Sequence, residues 1–258
     1  MKNILISTGG SGGHVIPATI LSDHLKKEFN IFMSSDDRGM KFINKNKFDI
    51  KIINVPKISK NIFLLPFQIF ALLVLTFKSI FFLKKKKIEI TISTGGYMSL
   101  PLCIASKLLN LKLFLFEPNM VLGRSNNLFI RSCTKVFCYS ENIKNFPIKF
   151  KKSISIIPAL LRKEFYLSKI INELNQEIRL LVIGGSQGAQ AFNTIIQDSV
   201  LELSKKYKLK IYHQTSSDNF NNLKNFYLKN DIESELFDFN DDILKFMSKS
   251  NLCITRAG

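Results

Sequence analysis

Short apolar runs alternate along this chain with segments of helical length. The runs at 3–7, 30–34, 50–55, 88–93, 112–116, 135–139 and 154–157 read as buried strands. Strands that alternate with helices predict an α/β fold, a parallel sheet with helices on both faces. Behind the first strand, Ala18, Leu21, Leu25 and Phe29 recur every three or four residues and build one apolar stripe. Pro17 fits the first turn of that helix, where no donor is lost.

The pattern restarts near Arg179. Leu180-Leu181-Val182-Ile183 reads as a buried strand, followed by a glycine-rich turn and a helix with Phe192, Ile196, Val200 and Leu203 on one face. Further strands are expected at 209–214 and 251–255. The polar stretch 163–178 reads as a connecting helix or linker, so the expected domains are 1–162 and 179–258. Gly258 follows almost directly on a strand, so the second domain is expected to be incomplete.

One segment breaks the amphipathic pattern. Ile62 to Leu83 is apolar except for Gln68, Thr76, Lys78 and Ser79, and Lys84 to Lys87 follow it. Its length would span a bilayer, but Pro66 and Lys78 argue against a clean span. A buried core helix is another reading. The favoured one is an interfacial helix, with the lysine run facing anionic headgroups.

Composition bears on this. The formal net charge is +17 over 258 residues, 46% of them hydrophobic. Only six basic residues are Arg, and Lys is scattered beside many Asn, Ile and Phe. A compositional bias accounts for that; the functional reading is attraction to an anionic surface, with lipid favoured over nucleic acid. Cys103, Cys133, Cys138 and Cys253 form no C-x-x-C pair, so neither a zinc site nor a disulfide framework is expected.

The candidate chemistry lies in glycine turns between strand and helix. Thr8-Gly9-Gly10-Ser11-Gly12-Gly13-His14 follows the first strand, Gly184-Gly185-Ser186-Gln187-Gly188 opens the second unit, and Gly95-Gly96 follows the strand at 88–93. Such turns let backbone approach a ligand, and the helix N-terminus offers N–H groups and partial positive charge to phosphate. Neither long turn is a Walker loop. The first misses the dinucleotide fingerprint because Val15 stands where glycine or alanine is needed, which leaves Asp36 a weak candidate for a ribose contact.

TGGSGGHVIPA (Thr8 to Ala18), STGGYMSLP (Ser93 to Pro101), EPN (Glu117 to Asn119) and GGSQGAQAFN (Gly184 to Asn193) resemble the MurG family, in order along the chain. FNDD (Phe239 to Asp242) and TRAG (Thr255 to Gly258) fit its second domain. These are the N-acetylglucosaminyltransferases of peptidoglycan synthesis. The resemblance implies a GT-B fold of two Rossmann-like domains and no cofactor or metal. It implies UDP-N-acetylglucosamine as donor, an undecaprenyl-diphosphate-linked N-acetylmuramyl pentapeptide as acceptor, and inversion at the sugar. With Lys78 and Lys84 to Lys87, the expected location is peripheral, on the anionic cytoplasmic face of the inner membrane, and the scattered lysines predict no nucleic-acid partner.

By matching positions, Ser11, Gly12, Gly13, Gly95, Gly96, Asn119 and Arg162 are implied substrate contacts. Gly185, Ser186 and Gln187 would meet the donor diphosphate, and Asn240 the uracil. The base for the acceptor hydroxyl is left between His14, whose imidazole ordinarily titrates near pH ~6.5, and Glu117. The chain departs from the family at Phe116-Glu117-Pro118-Asn119, where His-Glu-Gln-Asn is common. It departs again at Pro158-Ala159-Leu160-Leu161-Arg162, which keeps only the last residue of Gly-Asn-Pro-x-Arg. Residues that hold the donor ribose in the family would follow Gly258, so weak or no transfer is expected from residues 1–258 alone. Two other readings stay open: a nucleotide-sugar transferase for a different lipid acceptor, and a membrane-bound acceptor-binding subunit without catalysis.

Overall fold

The computed structural model describes residues 1–44, 47–56, 62–167, 177–184, 191–238 and 243–255. The chain divides into two compact units, Met1–Arg162 and Lys163–Gly258.

The first unit is a seven-stranded parallel sheet. Its strands are β1 (Asn3–Ser7), β2 (Asn30–Ser35), β3 (Ile50–Ile52), β4 (Ile90–Ser93), β5 (Lys112–Glu117), β6 (Lys135–Cys138) and β7 (Ile154–Ile156). Their order across the sheet is β3-β2-β1-β4-β5-β6-β7. Alternation along β1 divides the core. Ile4 and Ile6 pack with Val15 and Ala18 of helix α1 (Gly12–Leu25) on one face. Leu5 packs on the other, with Leu83 of α2 (Leu65–Lys85) and Leu102 and Ala105 of α3 (Leu100–Leu108). Strand order reverses direction between β1 and β4, which opens a crevice at their C-terminal ends.

Two expectations change. Helix α1 begins at Gly12, so Pro17 lies inside it, not in its first turn. The glycine turn is itself the helix N-terminus, and the proline leaves only the Gly13 carbonyl without its helical donor. The α2 segment is not a core helix. Its buried residues are Thr76, Ser79 and Leu83, while Phe67, Phe70, Leu73, Phe77 and Phe81 face outward. The two buried hydroxyls donate to the carbonyls of Leu72 and Leu75, so the packed side of the helix carries satisfied polar groups.

The second unit is a four-stranded parallel sheet ordered β10-β9-β8-β11, from β8 (Glu177–Ile183), β9 (Lys208–Gln214), β10 (Glu233–Phe237) and β11 (Leu252–Thr255). Ile178, Leu180 and Val182 meet the expected stripe of Ile196 and Val200, with Leu223 and Tyr227 of helix Ser217–Lys229. Strand β10 was not anticipated. It is a sheet edge, and of its five residues only Phe237 is buried.

Candidate functional site

The first glycine turn is held from three sides. Gly10 lies at φ +84°, in the left-handed region that favours glycine. Its amide donates to the buried Asp36 carboxylate at 2.7 Å, and Asp36 also accepts from the Gly39 amide at 2.9 Å and the Arg38 Nε at 3.0 Å. Burial alone would raise the Asp36 pKa, but these two amides and the guanidinium outweigh it and hold the carboxyl below its ordinary value. Asp36 therefore spends its oxygens on the turn, not on a ribose.

The turn after β4 abuts the first one. Gly96 lies at φ +85°, and a Cβ added there would sit 3.0 Å from the Gly9 carbonyl oxygen. Thr94 ties the two turns, its hydroxyl donating to Thr8 Oγ1 at 2.8 Å. The His14 ring crosses the same gap, with Nδ1 2.7 Å from the Thr94 carbonyl oxygen. A carbonyl can only accept, so Nδ1 carries the proton and the neutral ring keeps its lone pair on Nε2. A Cβ on Gly95 would come within 3.1 Å of the His14 ring, so this glycine makes room for the imidazole.

Ser11 is the N-cap of α1, yet its hydroxyl makes no capping bond. The amides of Gly12 and Gly13 have no acceptor among the described residues. These are the groups that a helix N-terminus presents to an anion.

Glu117, at the end of β5, is fully buried. One oxygen accepts from the backbone and side-chain nitrogens of Asn119 at 3.3 and 3.0 Å; the other accepts from the Gly123 amide at 2.8 Å and Asn126 Nδ2 at 3.0 Å. With both oxygens engaged, the carboxylate binds the 117–126 segment together. Sequence reasoning missed Asn126, which is fully buried and whose Nδ2 lies 3.5 Å from a Cβ position on Gly95. Nothing in its spacing marks it, because its partners come from β4 and β5.

The structure brings together Ser11, Gly12, Gly13, His14, Gly95 and Gly96, with Glu117 and Asn119 joined through Asn126. Arg162 is set apart. The segment leading to it meets α1 at His24, whose Nε2 donates to the Leu161 carbonyl at 2.9 Å. That is about 15 Å along the helix from His14.

In the second unit, Gly185, Ser186, Gln187 and Asn240 lie outside the described residues. The neighbouring Gly184 amide donates to the side-chain oxygen of buried Gln214 at 3.2 Å. Next to it on β9, His213 shares a 2.7 Å hydrogen bond with the Tyr227 hydroxyl, and burial pushes the imidazole down to about 4. His213 Nε2, Thr215 Oγ1 and both polar side-chain atoms of Asn193 are buried without a partner among the described residues.

Comparison with known proteins gives the family of the chain. The glycosyltransferase family 28 N-terminal domain matches residues 4–138, and the family 28 C-terminal domain matches residues 179–258. The chain is 58% identical over 257 residues to the UDP-N-acetylglucosamine--N-acetylmuramyl-(pentapeptide) pyrophosphoryl-undecaprenol N-acetylglucosamine transferase of Pelagibacter ubique, covering all of this chain and 72% of that protein. It is 32% identical to the protein of the same name from Prochlorococcus marinus strain AS9601, again over the whole chain and 70% of that protein. In fold it resembles the crystal structure of Acinetobacter baumannii MurG, with a TM-score of 0.74 at 23% identity over 100% of this chain and 72% of that one. It also resembles Neisseria meningitidis UDP-GlcNAc 2-epimerase, with a TM-score of 0.65 at 14% identity over 100% of this chain and 78% of that one. The two parallel sheets are those of the GT-B architecture, and the chain belongs to glycosyltransferase family 28 and, within it, to the MurG family.

Proposed function

We propose that this chain transfers N-acetylglucosamine from UDP-N-acetylglucosamine to undecaprenyl-diphosphate-linked N-acetylmuramyl pentapeptide, with inversion at the anomeric carbon. The observation that carries the reading is 58% identity, across the whole chain, to a relative named for that transfer. The acceptor's 4-hydroxyl oxygen bonds to C1 of the sugar while the bond from C1 to the UDP oxygen breaks. UDP leaves with that electron pair, and the hydroxyl proton passes to His14 Nε2. The Nδ1–H bond to Thr94 supports His14 as the base, because it leaves Nε2 unprotonated in the neutral ring. Glu117, closed off by four donors, holds the loop that carries Asn119.

The first and second glycine turns divide the substrates in this reading. Ser11, Gly12, Gly13, Gly95 and Gly96 face the acceptor diphosphate. Gly185, Ser186 and Gln187 take the donor diphosphate and Asn240 the uracil, and Arg162 is a further substrate contact. The side-chain groups of Asn193, His213 and Thr215 that are buried without a partner among the described residues favour a polar ligand in the second unit.

Peripheral attachment to the cytoplasmic face of the inner membrane belongs to the same proposal. The outward phenyl rings of α2 are exposed, Phe67 by 74%. Beside them runs a groove of ≈ 690 Å³ between β3 and α2, lined by Ile52, Leu75, Phe82, Lys51, Lys78 and Lys85. An apolar face flanked by lysines suits an anionic lipid surface.

The test is transfer of radiolabelled N-acetylglucosamine into the lipid fraction. Label in lipid that falls at least about 100-fold in His14→Ala is expected. Weak label with the wild-type chain fits the expectation for residues 1–258; label that goes to another lipid acceptor and not to this one overturns the transferase reading, and equal label in the variant overturns His14 as base.

A further inference from the structure

We propose that Arg38 is a phosphate-contacting residue of the first glycine turn, its guanidinium carried by Asp36 to the space over Gly10. The inference rests on the acceptor-side reading of that turn and names a group it lacked, a fixed cation.

A Cβ built on Gly10 would have Arg38 Nη2 at 3.9 Å and no other heavy atom within 4 Å. The space over this glycine is therefore open, with a guanidinium at its edge. The Arg38 Nε donates to Asp36 Oδ2, so one of its five N–H groups is used and the Nη pair is left over. Among the described residues no second carboxylate pairs with Arg38, and its side chain is 59% exposed. Asp37, its neighbour in sequence, is occupied instead by the Asn54 amide.

Asp36 explains why the arrangement is stiff. It is buried, and it grips the amides of Gly10 and Gly39 on either side of the arginine. The same carboxylate thus fixes the turn and the cation relative to each other. The two amides share Asp36 Oδ1 and the Arg38 Nε–H occupies Oδ2, so the Nη groups of the guanidinium keep their donors for another acceptor. A diphosphate over Gly10 would meet the Gly12 and Gly13 amides and the Ser11 hydroxyl on one side and the Nη pair on the other. That pair suits two phosphate oxygens at once, which a lysine ammonium cannot match.

Geranyl diphosphate, a short soluble prenyl diphosphate, is the probe, titrated calorimetrically into the full chain. Arg38→Gln is expected to weaken binding about tenfold or more and Arg38→Lys to fall between, with UDP binding unchanged in both. In the wild type, the 15N signals of the Arg38 Nη groups should shift on addition of the probe, a readout that needs no variant. Wild-type affinity in Arg38→Gln, or no shift of those signals while the probe binds, overturns the assignment of Arg38 alone. If the wild type binds no geranyl diphosphate, the acceptor-side reading of the turn fails and this inference fails with it.

Discussion

His213 is fully buried with its ring neutral at pH 7, because burial lowers its pKa from 6.5 to about 4. An unfolded chain binds this proton near pH 6.5 and the folded one only near 4. The contribution is therefore complete above pH 6.5 and is lost as the pH falls toward 4. Between pH 7 and pH 5 the second unit should lose about 2 kcal/mol of stability from this group. Urea unfolding of His213→Gln at the two pH values should show a smaller loss than the wild type; equal losses would remove the imidazole from the account. Asp36 acts in the same direction at lower pH, since its folded pKa is depressed and its contribution disappears as it protonates. Neither role could be read from the sequence. Asp36 looked like a ribose ligand because its distance from the glycines fits one, but its partners are the amides of Gly10 and Gly39 and the Arg38 guanidinium. Glu117 looked like a base because it is a carboxylate in a motif; its burial and its four donors come from residues that only the fold assembles.

At the scale of elements, α2 packs Leu75, Ile80, Phe82 and Leu83 and two hydroxyls toward the protein and leaves Phe67, Phe70, Phe77 and Phe81 toward solvent. Phe67, Phe70 and Phe77 make few contacts that folding could depend on. Their joint replacement by Ser should leave the melting temperature unchanged while cutting binding to phosphatidylglycerol vesicles at least about 100-fold, since each buried phenyl contributes about 1.5–3 kcal/mol. Co-sedimentation with vesicles measures this, and undiminished sedimentation of the triple variant would mean that α2 is not the contact. The strands of the first sheet were legible because Ile4-Leu5-Ile6 and its counterparts are apolar toward both faces, as a covered parallel sheet requires. Strand β10 was not, because at the sheet edge Glu233 and Glu235 stay wet. The start of α1 was misplaced because glycines read as turn, whereas here they form the first helical residues.

At the scale of the whole molecule, two sheets with separate cores carry the two proposed ligand turns. Each ligand should then stabilise its own unit, by about 2.7 kcal/mol at a hundred times its dissociation constant. Amide exchange should slow at the ends of β1 and β4 with geranyl diphosphate and at the ends of β8 and β9 with UDP. Protection of the same unit by both ligands would contradict the division of substrates. Within the first unit, the Gly9 carbonyl fills the place where Gly96 would carry a side chain. Those two positions, 87 residues apart in sequence, are consequently one locus as far as selection is concerned. Under random mutagenesis they should show strong epistasis: a side chain at Gly96 is tolerated only where the first turn has also moved, and no series of independent single steps leads from one arrangement to another.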